Sequence, residues 1–213
     1  PILPVSIPNE ASTVQITLSM GPPPVQQAAV PGTIDVKDRA LREQLRQAVE
    51  AIQANQFDAG LQSVDKLLEK KTDMKPEDLA SVLYMRAFCL YQLKRIPEAE
   101  APVKEALQLR PDLVPAMDLL WPILVEQKKY ADAEAVLRKE LDTAQEPARR
   151  VPLLLNLGIA LREQQKDPEA QVVLEEAHKL QADEPNVIVQ LADLYTAQGR
   201  MAEAEQLMGG NLP

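Results

Sequence analysis

The chain has 213 residues and a formal charge of -9, from 23 basic and 32 acidic side chains. No run of Lys or Arg is long enough to track phosphates, which argues against nucleic acid and anionic membrane as partners. Apolar residues make up 46% of the chain, enough to build a core, whereas aromatics make up only 3%. Together with abundant Ala, Leu, Gln and Glu, this is the composition of helices that pack small residues against Leu.

The first 31 residues hold seven of the 18 prolines, in PILP, SIP and GPPP, and show no helical period. Within them STVQITLSM alternates polar and apolar residues (Val14, Ile16, Leu18, Met20), the period-two mark of a half-buried strand. Three partners are open to it: an upstream β-sandwich, the chain's own helical face, or the same strand of a second copy. The sequence begins at Pro1 rather than Met and is expected to be a piece of a longer protein. The expected organisation is an extended, partly β-like arm or remnant of an upstream β domain over 1–37, a helical domain over 38–208 and a tail over 209–213.

From DRALREQLRQAVEAIQ onward the chain is helical and internally repeated. Ala87, Trp121, Gly158 and Ala192 form one column, with steps of about 34, 37 and 34 residues. The same steps join Ala99, Ala133, Ala170 and Ala204. They also join Leu90, Leu124, Leu161 and Tyr195, and again Val103, Leu137, Leu174 and Met208. A weaker first copy carries Ala48, Gly60 and Val64. Each copy predicts two helices and a short turn, with Pro97 and Pro168 in the first turn of a second helix and Asp167 as an N-cap. The longer steps place insertions in loops at EKKTDMKPED and DTAQEPARR. Facing small residues let the two axes approach, and stacked neighbours bury what one hairpin cannot.

Chemistry-bearing residues are sparse. Cys89 lies in the apolar stretch LYMRAFCLYQL and reads as a small core residue. His178, in EEAHKL, reads as a helix-end residue. Lys70 with Lys71 and Arg149 with Arg150 read as solvated helix ends or loops, and adjacent Glu175 and Glu176 point apart on a helix. No phosphate loop, Ser-His-Asp set or Cys/His metal spacing occurs, so no cofactor is expected and the chain reads as non-enzymatic.

NLGIALREQQKDPEAQVVLEEA (156–177), QLADLYTAQGRMAEAEQLM (190–208) and YMRAFCLYQLKRIPEAEAPVKEALQLRP (84–111) resemble the tetratricopeptide repeats, TPR in short. The resemblance covers residues 38–208 in about five units and implies an all-α, TPR-like α-α superhelix or solenoid. Departures from the pattern are Trp121 in a small-residue slot, Pro122 inside a helix where a kink is expected, Arg86 in a Leu slot and Glu140 in an Ala slot. The last copy ends at Met208 before GGNLP, without the usual capping helix.

The resemblance implies that first helices line a concave groove for peptides or extended protein segments. Mapped here, that line runs Leu45, Val49, Ile52; Tyr84, Phe88, Tyr91; Asp118, Val125; Leu155, Ile159, Arg162; and Val189, Asp193, Thr196. The alternative for Tyr84, Phe88 and Tyr91 is a core position. Certain TPR domains clamp acidic chaperone tails with Lys, Asn and Arg; here Arg162 is the one inner base, which disfavours that partner. The expected function is a protein-interaction scaffold. Its alternatives are a homo-oligomerisation module using the arm or terminal helix of another copy, and an accessory domain of a larger cell-envelope or secretion protein. The setting leans toward a bacterial periplasm or envelope, and no direct membrane insertion is expected.

Overall fold

A computed structural model describes residues 13–19, 29–35, 39–69 and 74–209. It divides into two compact units, residues 1–127 and 128–213. The first unit holds β1 (Thr13–Ser19), β2 (Ala29–Asp35), α1 (Arg39–Gln53), α2 (Phe57–Leu68), α3 (Pro76–Gln92), α4 (Ile96–Leu109) and α5 (Val114–Glu126). The second holds α6 (Tyr130–Thr143), α7 (Pro147–Glu163), α8 (Asp167–Leu180), α9 (Pro185–Ala197) and α10 (Met201–Gly209).

The strands pair antiparallel from Thr13 opposite Asp35 to Ser19 opposite Ala29. β1 coincides with the alternating stretch. Its partner AVPGTID has no alternation and contains Pro31 and Gly32, so nothing in its pattern announced a strand.

In the first unit α1 packs on α2 and α3 on α4, and the hairpins join through α2 with α3 and α4 with α5. In the second, α7 packs on α8 and α9 on α10, with α6 against α7 and α8 against α9. The small-residue columns form the seams. Ala48, Ala87, Ala99, Ala133 and Ala170 are fully buried, as are Leu90, Leu161, Val103, Leu137 and Leu174. The columns fail only in the last copy, where Tyr195 is half-buried and Met208 exposed, because no further hairpin follows α10 among the described residues.

Two local expectations are corrected, in one of the two insertions and in the N-cap of α8. Of the two stretches that lengthen the repeat steps, DTAQEPARR falls largely within α6 and α7, whereas EKKTDMKPED runs mainly between Leu68, the end of α2, and Pro76, the start of α3; α3 and α7 run 17 residues against 13 for α5 and α9. Pro76 and Pro147 open those longer helices, since a first-turn proline lacks only a hydrogen that would be unsatisfied anyway. Asp167 is the first helical residue of α8, and the N-cap is Lys166 with no side-chain bond. Helix α5 runs unbroken through Pro122, as α4 and α7 run through Pro102 and Pro152.

The turns that follow α1, α3, α5, α7 and α9 repeat one backbone device. Asn55, Lys94, Lys128, Gln165 and Gly199 all sit at positive φ, between 57° and 76°. After Lys94, the Arg95 N–H returns to the Leu90 carbonyl at 2.9 Å, and after Gln165 the Lys166 N–H returns to Leu161 at 2.9 Å. This is the left-handed residue that closes a helix C-terminus, here carried mostly by residues other than Gly.

Candidate functional site

The column that the sequence places along the groove meets very different surroundings at each copy. On α3, Tyr84 is 0% exposed, Phe88 5% and Tyr91 8%. On α1, Leu45, Val49 and Ile52 are likewise buried, and so is Asp118 on α5, while Val125 is half-buried. In the first unit these residues are therefore core rather than an open trough. Phe88 packs edge-on against Phe57 of α2, centroids 5.8 Å apart, and stacks with Tyr84 at 6.4 Å. Burial first, then the Asp118 carboxylate, pushes the Tyr84 phenol well above its ordinary value. Tyr91 is shifted the same way by burial and by Glu126, with the Lys94 ammonium 5.6 Å from its ring centre.

In the second unit the same register is open. Leu155, Ile159 and Arg162 on α7 are half-buried, and Val189 on α9 is 52% exposed beside exposed Asp193 and Thr196. Helices α7 and α9 touch, and Arg162 Nη1 donates to Gln190 Oε1 at 2.7 Å across them. The result is an aliphatic strip, Leu155, Ile159 and Val189, edged by a guanidinium–amide pair and a carboxylate. Such a strip can cover a partner's apolar side chains and bond to its backbone. Gln190 was missed by the groove assignment because it lies one residue off the column, although the same register marks it as a neighbour of Val189.

A framework of charged side chains holds these helices. Arg150, read from sequence as solvated, donates to the Leu141 and Ala144 carbonyls at 3.2 and 3.0 Å, closing the α6 C-terminus, and pairs with Glu176 on α8. Arg149 meets Glu140, whose side chain is fully buried, at 2.8 Å. That ion pair accounts for an acidic residue in a slot that wants Ala. Arg86, in its Leu slot, bonds Asp65 of α2 at 2.7 Å. Glu134 on α6 accepts from Lys166 at 2.8 Å, Arg138 at 2.9 Å and Gln164 at 3.0 Å. Burial raises its pKa, but those hydrogen bonds outweigh burial and hold the carboxyl at about 2.

Two further reactive side chains lie outside this strip. Burial, followed by Asp65, pushes the Cys89 thiol up to about 12, far from the range of a nucleophile. His178 is half-buried in the last turn of α8. Among the described residues no group of three or more His, Cys, Asp or Glu is placed to hold a metal ion, and no helix is long and apolar enough to cross a membrane.

Residues 161–210, which contain part of the open strip, match a family model described as Tetratricopeptide repeat. Among solved structures, that of MamA from residue 41 to its end, from Desulfovibrio magneticus RS-1, aligns with a TM-score of 0.71 at 15% identity, covering 82% of this chain and 94% of that one. A MamA RS-1 double mutant gives 0.71 at 17% identity, with coverages of 81% and 92%. A MamA crystal structure gives 0.71 at 13%, with coverages of 81% and 90%. At these identities the likeness is one of fold. No curated protein matches the sequence.

Proposed function

We propose that this chain is a non-catalytic, tetratricopeptide-like interaction scaffold that receives an extended or helical protein segment on the α7 and α9 face. One observation carries the reading: Leu155, Ile159 and Val189 occupy the register that is buried on α3, yet stay open to solvent in the second unit. Leaving them bare forgoes roughly 25 cal/mol for each Å² of apolar area a partner would cover. The acidic chain as a whole, at -9, favours an apolar or mildly basic segment.

A photo-crosslinking amino acid placed at Val189, with a matched probe at Val172 on α8, tests this. Val172 is the control because it is 65% exposed and lies outside the strip. The reading expects discrete crosslinked partners at 189 that are absent at 172 and are lost when Ile159 becomes Asp. Equal yields at both positions, or no effect of Ile159→Asp, would overturn it. A second reading, self-association through the terminal helix, is favoured by Met201 and Met208 of α10, which are 58% and 46% exposed. Light scattering decides it, since a mass that stays monomeric with rising concentration rules it out.

A further inference from the structure

Helix α3 has a neighbour that α7 lacks. Helix α3 is flanked by α2, α4 and α5, as α7 is flanked by α6, α8 and α9. The positions correspond one to one: Tyr84 with Leu155 and Val189, Phe88 with Ile159 and Asp193, Tyr91 with Arg162 and Thr196. Three helical neighbours leave the column half-open on α7, whereas on α3 it is closed. The further element against α3 is β2, and β1 lies against α1.

We propose that the β1–β2 ribbon is an intramolecular occupant of the first unit's groove, seated in cis on the α1 and α3 face over the Tyr84, Phe88 and Tyr91 column. The chain thus supplies its own extended segment at one end and keeps the α7 and α9 strip free for a partner. This deepens the scaffold reading and rests on its assignment of the face. Two features suit the ribbon to the place. Its first strand, TVQITLS, alternates polar and apolar residues, as a strand with one face on an apolar surface should. An isolated two-stranded ribbon is at best marginal in water, so it needs a surface of this kind to persist.

The test uses the full chain. Tetranitromethane nitration, mapped by mass spectrometry, reads Tyr91 against half-buried Tyr130 of the second unit as internal reference. Hydrogen exchange reads the amides of 13–19 and 29–35. The paired changes Val14→Pro and Ile34→Pro, at opposed positions of the ribbon and out of step with Pro31, which has no N–H to give, remove ladder donors without touching a helix. The expected result is protected strand amides in the parent. In the variant they should exchange freely, with Tyr91 nitration rising about tenfold or more over the reference as its solvent cover is lost.

A second variant, Tyr91→Glu, approaches from the helix side and should release the strand amides while far-UV circular dichroism is kept. Strand amides already exchanging at the unfolded rate in the parent would overturn the proposal, as would release of the strands with Tyr91 unchanged. A parent that is a dimer by light scattering, with the ribbon crosslinked to the other copy, would overturn the cis assignment. Crosslinking at Val189 should be the same in both ribbon variants, so this proposal and the scaffold reading fail separately.

Discussion

Gly158 offers the sharpest check on how the hairpins of the second unit are packed. A Cβ built there would lie 2.6 Å from Leu174 Cγ, 2.7 Å from Cδ2 and 3.1 Å from Cδ1, where apolar carbons prefer about 3.5 to 4.0 Å. Leu174 is fully buried and cannot swing into solvent, so Gly158→Ala must move α7 and α8 apart or force Leu174 from its rotamer. Overpacking of this kind costs about 1–3 kcal/mol, against a helix-propensity gain of about 1 kcal/mol for replacing Gly by Ala. The expected net loss is about 0–2 kcal/mol. Leu174→Ala alone should cost about 2–5 kcal/mol. In the double variant the new methyl enters the space the leucine vacates, so the two losses should fall short of additivity by about 1–3 kcal/mol. Urea unfolding followed by far-UV circular dichroism measures all four corners of the cycle. If Gly158→Ala gains stability and shows no coupling to Leu174, the close approach of α7 and α8 is wrong.

Two further outcomes follow from the turns and the charge framework. Lys94→Gly and Gln165→Gly should each raise stability by up to about 1 kcal/mol, since both residues hold a left-handed conformation that glycine adopts freely; Gly199→Ala should lower it by a similar amount, and thermal melts read all three. Glu134→Gln should cost about 1–2 kcal/mol at neutral pH, less than the full pKa shift implies because Arg138 and Lys166 reach solvent. With the folded carboxyl held at about 2, below an unfolded value near ~4.3, this stabilisation is complete above about pH 5 and disappears as pH falls toward 2. The parent and variant stabilities, measured by urea unfolding across that range, should therefore converge in acid. A gap that persists at low pH would assign the loss to packing instead.

The helix pairs were legible in the sequence because a seam between close axes accepts only small residues. Ala99, Ala133 and Ala170 repeat at the steps of the chain and are buried wherever a following hairpin exists. The helix starts were less legible: KPED and EPARR look like loops by polarity, yet Pro76 and Pro147 begin helices there. Arg149 and Arg150 misled in another way, because polarity shows that a side chain wants a partner but not whether that partner is water or a buried carboxylate and two helix-end carbonyls. The turn residues Lys94 and Gln165 carried no signal of their own, as neither prefers the backbone conformation it holds.

The groove column shows where local pattern stops. Helical period alone aligned Tyr84, Leu155 and Val189 on corresponding faces, because phase along a helix is a property of the chain's own geometry. Whether that face is open depends on what else arrives there, and α3 is met by β2, an element more than forty residues upstream of its start. Solvent exposure is set by neighbours that need not be near in sequence. The repeat determined the helix pairs and their register, and tertiary contacts alone decided that this face is buried on α3 and partly open on α7 and α9, because exposure depends on neighbours that the local pattern does not encode.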